Sequence, residues 1–364
     1  MRHAMIMAGG CGTRLWPMSR RGKPKQLIPF LDGRTLLQMA WERLEGLLPP
    51  ERIYVCASED HRRVILDSLA ALPPDNLIGE PVGMDTLNAV ALSSIVVGMR
   101  DPDAVLAVVT GDHIIGPRDR FQAYVAHSFE LVEQDPRALV TFGITPTAPA
   151  TGFGYLELGD RVGEGVYILR TFKEKPQAPT AEEYFAAGPE RYLWNSGMFV
   201  WRPEMLLDCV RRYEPETFAG LERIREAWTG PNREQVLADT YPTLRKISVD
   251  YAVMERASKD PTVRVLALPM SLEWMDVGNW QSFALTCPAD ADGNRIAADR
   301  AMLEDCKGTL VASTDPSHII AVVGCTGLMI IHTPDATLIC SADFAEAVKD
   351  VTKRIGERFG PDAL

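Results

Sequence analysis

The 364-residue sequence lacks the features that mark a secreted, disulfide-bonded or zinc-binding protein. Its seven cysteines are odd in number, scattered, and include no C-x-x-C pair, so neither a disulfide framework nor a zinc site is predicted. We expect reduced and mostly buried thiols. The chain also has no low-complexity tract and no repeat of fixed period, and 46% of its residues are hydrophobic and 24% charged. This composition is typical of an ordinary globular protein.

Long hydrophobic runs are absent as well. The first ten residues, MRHAMIMAGG, hold too short an apolar run for a signal peptide. The longest run elsewhere, residues 319–331, is much shorter than the ~20 residues of a membrane span. We therefore expect a cytoplasmic protein without a membrane partner.

Negative charge is missing from one segment of an otherwise acidic chain. The formal net charge is −11, yet residues 1–31 contain six Lys/Arg and no Asp/Glu. An acidic remainder argues against binding to nucleic acid or to an anionic membrane. One basic segment suits a small polyanion such as a nucleotide.

Short β-branched runs alternate with amphipathic stretches in the first 150 residues. Strands are predicted near 3–8, 52–57, 104–109 and 138–144, and helices near 35–47, 59–70, 85–98 and 119–134. This alternation is typical of a parallel sheet with helices on both faces. Ligands of such sheets bind beyond the carboxyl ends of the strands, which is where the loops after HAMIMA and AVLAVV are expected.

The later chain has two further patterns. Residues 155–285 are mixed and are interpreted as a substrate lid on the same sheet, with strands near 155–158, 166–172 and 197–201 and helices near 180–187, 203–212 and 250–257. After Pro288 the chain favours short strands near 309–312, 318–323, 328–332 and 337–340, then a helix near 342–357. Because chains beyond roughly 250 residues usually split, we predict a main domain over 1–287 and a small strand-rich domain over 288–364.

Gly9, Gly10 and Gly12 follow directly on the first predicted strand. Glycines let the backbone turn sharply and bring N–H groups against a phosphate. Arg14 and Lys25 add full charges. The loop is neither a Walker loop nor a complete G-x-G-x-x-G motif. The pattern predicts an anion cradle, and the alternative is a solvated basic loop with incidental glycines.

Two aspartates are candidate metal ligands. Asp112 follows the apolar run AVLAVV in a Gly-Asp-His turn, and Asp276 lies in the stretch Trp-Met-Asp-Val-Gly. Two carboxylates at strand ends can share one Mg²⁺ against bound phosphates. Gly-Asp is also a common turn, so a purely structural role is the alternative for Asp112.

The stretch GGCGTRLWPMSRRGKPKQ, residues 9–26, resembles the signature G-G-x-G-T-R-L-x-P-x-S-R-x-x-x-P-K-Q of sugar-nucleotide pyrophosphorylases, specifically mannose-1-phosphate guanylyltransferases. The resemblance continues through EPVGMDT, TGDH, TGFGYLE, FKEKP, YLWNSGMF, SVDYAVME and WMDVGNW. It implies a Rossmann-like, mixed but mainly parallel sheet of the GT-A-like nucleotidyltransferase type. It also implies a Mg²⁺-dependent reaction in which mannose 1-phosphate attacks the α-phosphate of GTP, giving GDP-mannose and pyrophosphate.

The resemblance implies roles for the nucleotide-binding residues. Arg14 and Lys25 would be the catalytic cations, Asp112 and Asp276 the Mg²⁺ ligands, and the nucleotide would lie against Gly9, Gly10, Gly12 and Thr13. Base selection is expected from Glu80 and Asp85. A carboxylate can accept from the adjacent N1–H and N2–H₂ donors of guanine, a pair that adenine and uracil lack.

The resemblance also implies a sugar-phosphate site. Lys175 would bind the phosphate, and the sugar hydroxyls would contact Glu174, Asn195 and Gly152 or Gly154. Lys175 is otherwise an exposed lysine before a turn proline, and Asn195 otherwise caps a turn.

Two residues of these motifs are predicted to have structural roles only. Asp250 precedes a helical stretch and is assigned to an N-cap. His113 is assigned to the structure, because a phosphate nucleophile is already an anion at neutral pH and needs no strong base.

The chain departs from the family pattern E-P-x-x-R-[ND]-T-A-[PA] at Met84, Leu87 and Asn88. These departures leave open a nucleotidyltransferase for another base or another sugar 1-phosphate. A catalytically silent regulator that binds a nucleotide sugar is the other alternative, against which the retention of Arg14, Lys25, Asp112 and Asp276 argues. We expect only the transferase, without the isomerase domain of longer relatives, and a homodimer paired through residues 288–364.

Overall fold

The computed structural model describes residues 1–10, 12–30 and 33–364. Their contacts divide the chain into two compact units. The first comprises residues 1–9, 40–110 and 115–274, and the second comprises residues 10–39, 111–114 and 275–364. The domain boundary near residue 287 stays a prediction. Across the described ranges, no helix has the length and apolar character that crossing a membrane requires.

A nine-stranded sheet organises the first unit, in the order β3-β2-β1-β4-β9-β6-β10-β8-β7. Its strands in chain order are β1 (Arg2–Met7), β2 (Ile53–Ser58), β3 (Leu77–Glu80), β4 (Val105–Thr110), β6 (Ala138–Ile144), β7 (Tyr155–Gly163), β8 (Val166–Lys173), β9 (Tyr192–Trp201) and β10 (Arg264–Met270). All run in one direction except β8 and β9. The prediction of a mixed, mainly parallel sheet is confirmed, and residues 155–270 extend that same sheet.

Helices flank this sheet. They are α2 (Arg62–Ser68), α3 (Asp85–Arg100), α4 (Arg118–Gln134), α5 (Ala178–Ala186), α6 (Pro203–Tyr213), α7 (Pro215–Ala227), α8 (Arg233–Thr240) and α9 (Glu255–Ala257). Helix α3 is buried almost all round, because it packs between β1, β2 and β4 on one side and α6 and α7 on the other. The long apolar run in the sequence of α3 is therefore explained by packing on both sides of the helix.

Several local predictions differ from the structure, and two of the differences have a clear physical cause. The helix predicted over 35–47 is α1 (Leu36–Glu42), which ends early because Leu44 N–H bonds to the Trp41 carbonyl in a tighter turn. Strand β10 was missed in the sequence. Residues 265–268 are all buried, and β10 lies between β6 and β8 in the sheet. Its run RVLALPM includes Pro269, and a proline within a short apolar run argues against a strand.

The second unit is strand-rich after residue 290. Its strands are β12 (Arg295–Ala297), β13 (Ala301–Glu304), β14 (Leu310–Ser313), β15 (Ile320–Val323), β16 (Leu328–Thr333) and β17 (Ala336–Ser341), and its helices are α10 (Trp280–Leu285) and α11 (Val348–Phe359). β12, β14 and β16 stack in parallel on one side, as do β13 and β15 on another. The predicted strand-rich C-terminal region is confirmed.

Residues 10–39 share a hydrophobic core with these strands. Leu15, Trp16 and Ile28 pack in one buried cluster with Leu310 and Ile331. The Trp280 indole N–H also donates to the Trp16 carbonyl at 3.0 Å. The basic segment singled out in the sequence is therefore anchored by the C-terminal strands.

The remaining strands are β5 (His113–Gly116) and β11 (Glu273–Asp276). Each spans a point where the chain passes from one unit to the other. Cys11 lies outside the described residues, and the other six cysteines are free thiols, four buried and two partly buried.

Candidate active site

Three predicted site residues of the second unit lie together around His113. Lys25 begins a short 3₁₀ turn after Pro24, Asp112 lies between β4 and β5, and Asp276 ends β11. Lys25 Nζ is 2.6 Å from Asp112 Oδ2. His113 Nε2 is 3.7 Å from Asp112 Oδ1 and 3.8 Å from Asp276 Oδ1. The side chain assigned only to the structure thus lies beside both carboxylates.

The charged groups of this cluster stabilise one another in their ionised forms. Burial disfavours the ammonium form of Lys25, but the carboxylates of Asp112 and Asp276 outweigh it and raise the pKa of Lys25. Burial likewise disfavours the Asp112 carboxylate, but Lys25 and His113 outweigh it and lower the pKa of Asp112. Lys25 is therefore a cation and Asp112 an anion at neutral pH.

Asp112 and Asp276 fit a magnesium ion by their donor chemistry. Both offer carboxylate oxygens, and in Asp112 the Lys25 ammonium contacts Oδ2 while Oδ1 lies 3.7 Å from His113 Nε2. Within the described ranges, no group of three or more His, Cys, Asp or Glu side chains forms a metal cage. Mg²⁺ is usually held by one or two carboxylates together with substrate phosphates. The two aspartates match that pattern.

Gly12 allows the loop to approach Lys25. Its φ is +60°, and a Cβ at this position would lie 2.6 Å from the Cβ of Lys25. Any side chain at residue 12 would therefore be strained and would also displace the lysine. Gly10 has a φ of +96°. Thr13 begins a 3₁₀ turn, and its carbonyl accepts a hydrogen bond from the Thr352 hydroxyl at 3.2 Å.

Arg14 is bound differently from Lys25. Its Nε is 3.0 Å from Glu346 Oε2, and the two side chains are 44% and 64% exposed. A solvated pair of this kind contributes little to stability. Arg14 can therefore exchange Glu346 for a phosphate at small cost.

Glu80 ends β3 in the first unit and is only 4% exposed. Tyr241 donates its hydroxyl to Glu80 Oε1 at 2.7 Å, and a Cβ on Gly9 would lie 3.6 Å from Oε2. Burial raises the pKa of Glu80, although the Tyr241 hydroxyl and the Met84 N–H oppose the shift. Sequence reasoning missed Tyr241, because a lone tyrosine gives no sign of a partner in β3.

Asp85 begins α3 in a left-handed backbone conformation, with φ +68°. Its side chain is exposed, and Oδ1 accepts from the Thr86 N–H at 2.8 Å. A non-glycine residue at positive φ costs of order 1–3 kcal/mol and tends to persist at functional sites. The structure therefore leaves Asp85 more open to a ligand than Glu80.

The departures from the family pattern occupy buried positions beside Asp85. Asn88 is fully buried, and its Nδ2 donates to the carbonyls of Met84 and Arg245, both at 2.8 Å. Leu87 is also fully buried, and its N–H bonds to the Ile247 carbonyl at 3.2 Å. The side chain of Asn88 thus links the turn at Met84 to Arg245, and the backbone of Leu87 adds a bond to Ile247.

The predicted sugar-phosphate residues form a second cluster, in the first unit. Lys175 Nζ is 3.0 Å from Glu174 Oε1, and its backbone has a φ of +40°. A Cβ on Gly154 would lie 2.5 Å from Glu174 Oε2, so a side chain at this position would displace the Glu174 carboxylate. The Asn195 N–H donates to the Gly154 carbonyl at 2.8 Å. Gly152 has open space around its Cβ position.

Glu174 has one oxygen without a partner. The residue is 5% exposed, and no group of the described chain bonds to Oε2. A buried carboxylate oxygen left unpaired is costly unless a ligand completes it. Burial disfavours the charged form of Lys175, but the Glu174 carboxylate outweighs it and raises the pKa of Lys175. The pair therefore offers a cation and an acceptor.

The N-cap assignment of Asp250 was wrong. Asp250 is the first residue of a π-helical turn, Asp250–Met254, and makes no capping bond. Its Oδ1 instead accepts from Asn195 Nδ2 at 2.8 Å, and Asn195 Oδ1 accepts from the Thr141 hydroxyl at 3.0 Å. The Asp250 carboxylate is held by this contact with Asn195 and does not cap the turn. The only signal for this was its position in the motif SVDYAVME.

Comparison with known proteins gives consistent matches. The Nucleotidyl transferase family profile matches residues 3–292, and the MannoseP isomerase/GMP-like beta-helix domain profile matches residues 299–355. Xanthan biosynthesis protein XanB of Xanthomonas campestris pv. campestris is 36% identical over 96% of this chain and 72% of its own length. Mannose-1-phosphate guanylyltransferase of Escherichia coli K12 is 34% identical over 97% of this chain and 73% of its own length.

A solved structure from Thermus thermophilus, described as a mannose-1-phosphate geranyltransferase, is 33% identical with a TM-score of 0.84. The match covers 97% of this chain and 99% of the other. The resemblance inferred from the motifs is confirmed by these matches. The chain belongs to the nucleotidyl transferase family.

Proposed function

We propose that the protein transfers GMP from GTP to mannose 1-phosphate, giving GDP-mannose and pyrophosphate. The observation that carries this proposal is the Lys175 ammonium, 3.0 Å from Glu174 Oε1, beside the buried and unpartnered Oε2 of the same carboxylate. A cation for a phosphate next to an acceptor for a sugar hydroxyl suits a sugar phosphate. Relatives named mannose-1-phosphate guanylyltransferase, 33–34% identical over most of this chain, support mannose and guanine.

The reaction requires stabilisation of negative charge on the leaving group rather than a strong base. A phosphate oxygen of mannose 1-phosphate forms a bond to the α-phosphorus of GTP, and the bond from that phosphorus to the bridging oxygen breaks. The electron pair leaves with pyrophosphate. Arg14 and Lys25 would stabilise the negative charge that builds on the leaving group. Mg²⁺ held by Asp112 and Asp276 would add a Lewis acid against the same phosphates.

The direct test is pyrophosphate release across nucleoside triphosphates and sugar 1-phosphates in the presence of Mg²⁺. The proposal expects the highest kcat/KM for GTP with mannose 1-phosphate. Another preferred pair would support the alternative of a different base or sugar. No turnover with any pair, together with tight GDP-mannose binding, would support a regulator.

Guanine selection is expected to depend on Asp85. The Asp85→Ala variant should lose preference for GTP over ATP while retaining most of its turnover, because the exposed carboxylate can accept from the guanine N1–H and N2–H₂ donors. We expect the ratio of kcat/KM values to fall by roughly tenfold or more, the effect of leaving a polar recognition contact unmade. Asp119→Ala, at an exposed carboxylate in the first turn of α4, is the matched control. Equal losses for GTP and ATP in Asp85→Ala would remove this role.

We also propose a homodimer paired through residues 288–364, located in the cytoplasm. Large apolar side chains are exposed there, among them Met302 at 67%, Val323 at 69% and Ile339 at 63%. The six free thiols of the described residues suit a reducing compartment.

Light scattering on the whole chain is expected to give a dimer, and Val323→Lys is expected to shift it towards the monomer. Val64→Lys, which changes an apolar side chain 39% exposed in α2, is the control. A monomeric wild-type chain would contradict the homodimer.

A further inference from the structure

Two carboxylates share one lysine in the sugar-phosphate cluster. Glu174 contacts Lys175 at 3.0 Å, and Asp250 lies close enough to both residues for Glu174 to raise its pKa and for Lys175 to lower it. With both carboxylates ionised, the cluster carries one net negative charge. That charge is unfavourable for a site that is to receive a phosphate dianion.

The groups around Asp250 come from three elements. Glu174 and Lys175 follow β8, Asn195 lies on β9, and the partly buried Asp250 begins its own π turn, where Tyr251 is the next ionisable neighbour. Burial comes first among the causes that raise the pKa of Asp250 to about 7, and the Glu174 carboxylate adds to it. Lys175 and the amide of Asn195 only partly oppose the shift. Asp250 is therefore a carboxyl that titrates near neutral pH.

The hydrogen bond from Asn195 survives a change in the charge of Asp250. Asn195 Nδ2 donates to Oδ1, which remains an acceptor, although a weaker one, when a proton resides on Oδ2. Asn195 is itself fixed by the Thr141 hydroxyl and by its N–H bond to the Gly154 carbonyl. The cluster can thus lose a negative charge without rearranging these contacts.

We propose that binding of the sugar 1-phosphate is coupled to uptake of one proton by Asp250, so that Lys175 meets the phosphate dianion with one ionised carboxylate beside it instead of two. The proton comes from solvent and resides on Oδ2, and no other bond changes. This inference rests on the proposed function, since it requires a sugar phosphate in this cluster. Asp250 is a positioning residue here, because it acts through Asn195 and through the charge at Lys175.

The direction in which the affinity for the sugar phosphate changes with pH follows from the linkage between ligand binding and proton binding. Below the pKa of Asp250 the carboxyl is already protonated, so binding takes up no proton at this group. Above it, binding must protonate the group, and the affinity for the sugar phosphate falls by up to about tenfold per pH unit. The KM for GTP has no such dependence on Asp250.

The test is titration calorimetry of mannose 1-phosphate into the whole protein near pH 8, repeated in buffers of different ionisation enthalpy. We expect the wild type to take up about one proton more than Asp250→Asn. The phosphate's own ionisation, with a pKa of about 6, is common to both proteins and cancels in the comparison. Asp160→Asn, at an exposed aspartate of β7, should match the wild type.

A second measurement needs no variant. The KM of the wild type for mannose 1-phosphate is expected to rise by up to about tenfold between roughly pH 7 and pH 8, with the KM for GTP unchanged. Mannose 1-phosphate that binds with equal proton uptake in wild type and Asp250→Asn, or with a flat KM, would overturn this inference alone. If mannose 1-phosphate does not bind at either pH, the proposed function fails and this inference with it.

Discussion

Lys25→Ala is expected to lower kcat by roughly 10²-fold or more, the typical effect of losing one preorganised contact to developing charge. The Lys25 side chain is only 13% exposed and is held at 2.6 Å from Asp112. Negative charge grows on the departing pyrophosphate during the reaction, so this contact should be stronger in the transition state than in the bound ground state. Steady-state kinetics with each substrate varied in turn would measure the effect.

Variants of two other lysines provide the comparison for the kinetic constants of Lys25→Ala. Lys175→Ala should mainly raise the KM for mannose 1-phosphate, because the sugar phosphate is charged before the reaction begins. Lys23→Ala, at an exposed lysine two residues before Lys25, should leave both constants close to the wild type. If Lys25→Ala changes only the KM for GTP, or if Lys175→Ala leaves the sugar-phosphate KM untouched, the roles are wrongly assigned.

Asp112→Asn and Asp276→Asn are each expected to abolish most turnover and to weaken activation by Mg²⁺. Replacing a carboxylate by an amide removes the charge that attracts a hard cation while keeping the shape of the side chain. Asp112→Asn also removes the partner of the buried Lys25 ammonium, so its thermal stability should fall more than that of Asp276→Asn. The rate as a function of Mg²⁺ concentration and the thermal unfolding midpoint are the measurements.

The control for these variants is Asp299→Asn, which changes an exposed aspartate of the second unit. It should match the wild type in rate, Mg²⁺ dependence and unfolding midpoint. Near-normal turnover at low Mg²⁺ in Asp112→Asn or Asp276→Asn would show that the residue concerned is not a metal ligand.

Local sequence patterns predicted the elements that stand out as short β-branched apolar runs or as long amphipathic stretches. The apolar runs of β1, β4 and β6 and the long helix α4 lie close to their predicted bounds. β10 did not emerge from the sequence, because its run RVLALPM includes Pro269, and a proline within a short apolar run argues against a strand. Asp250 was misassigned because capping preferences describe an isolated helix end, and a tertiary contact with Asn195 overrode them.

By itself, the sequence determined the family, the position of the glycine-rich basic loop and the identity of most candidate residues, since these depend on residue type and short spacing. Only the tertiary structure decided which of them meet. Lys25 contacts Asp112, and Tyr241 bonds to Glu80 across 161 positions, because strand order and register bring distant loops together. It also decided ionisation: the pKa of Asp250 depends on burial and on Glu174, and neither can be read from its neighbours in the chain.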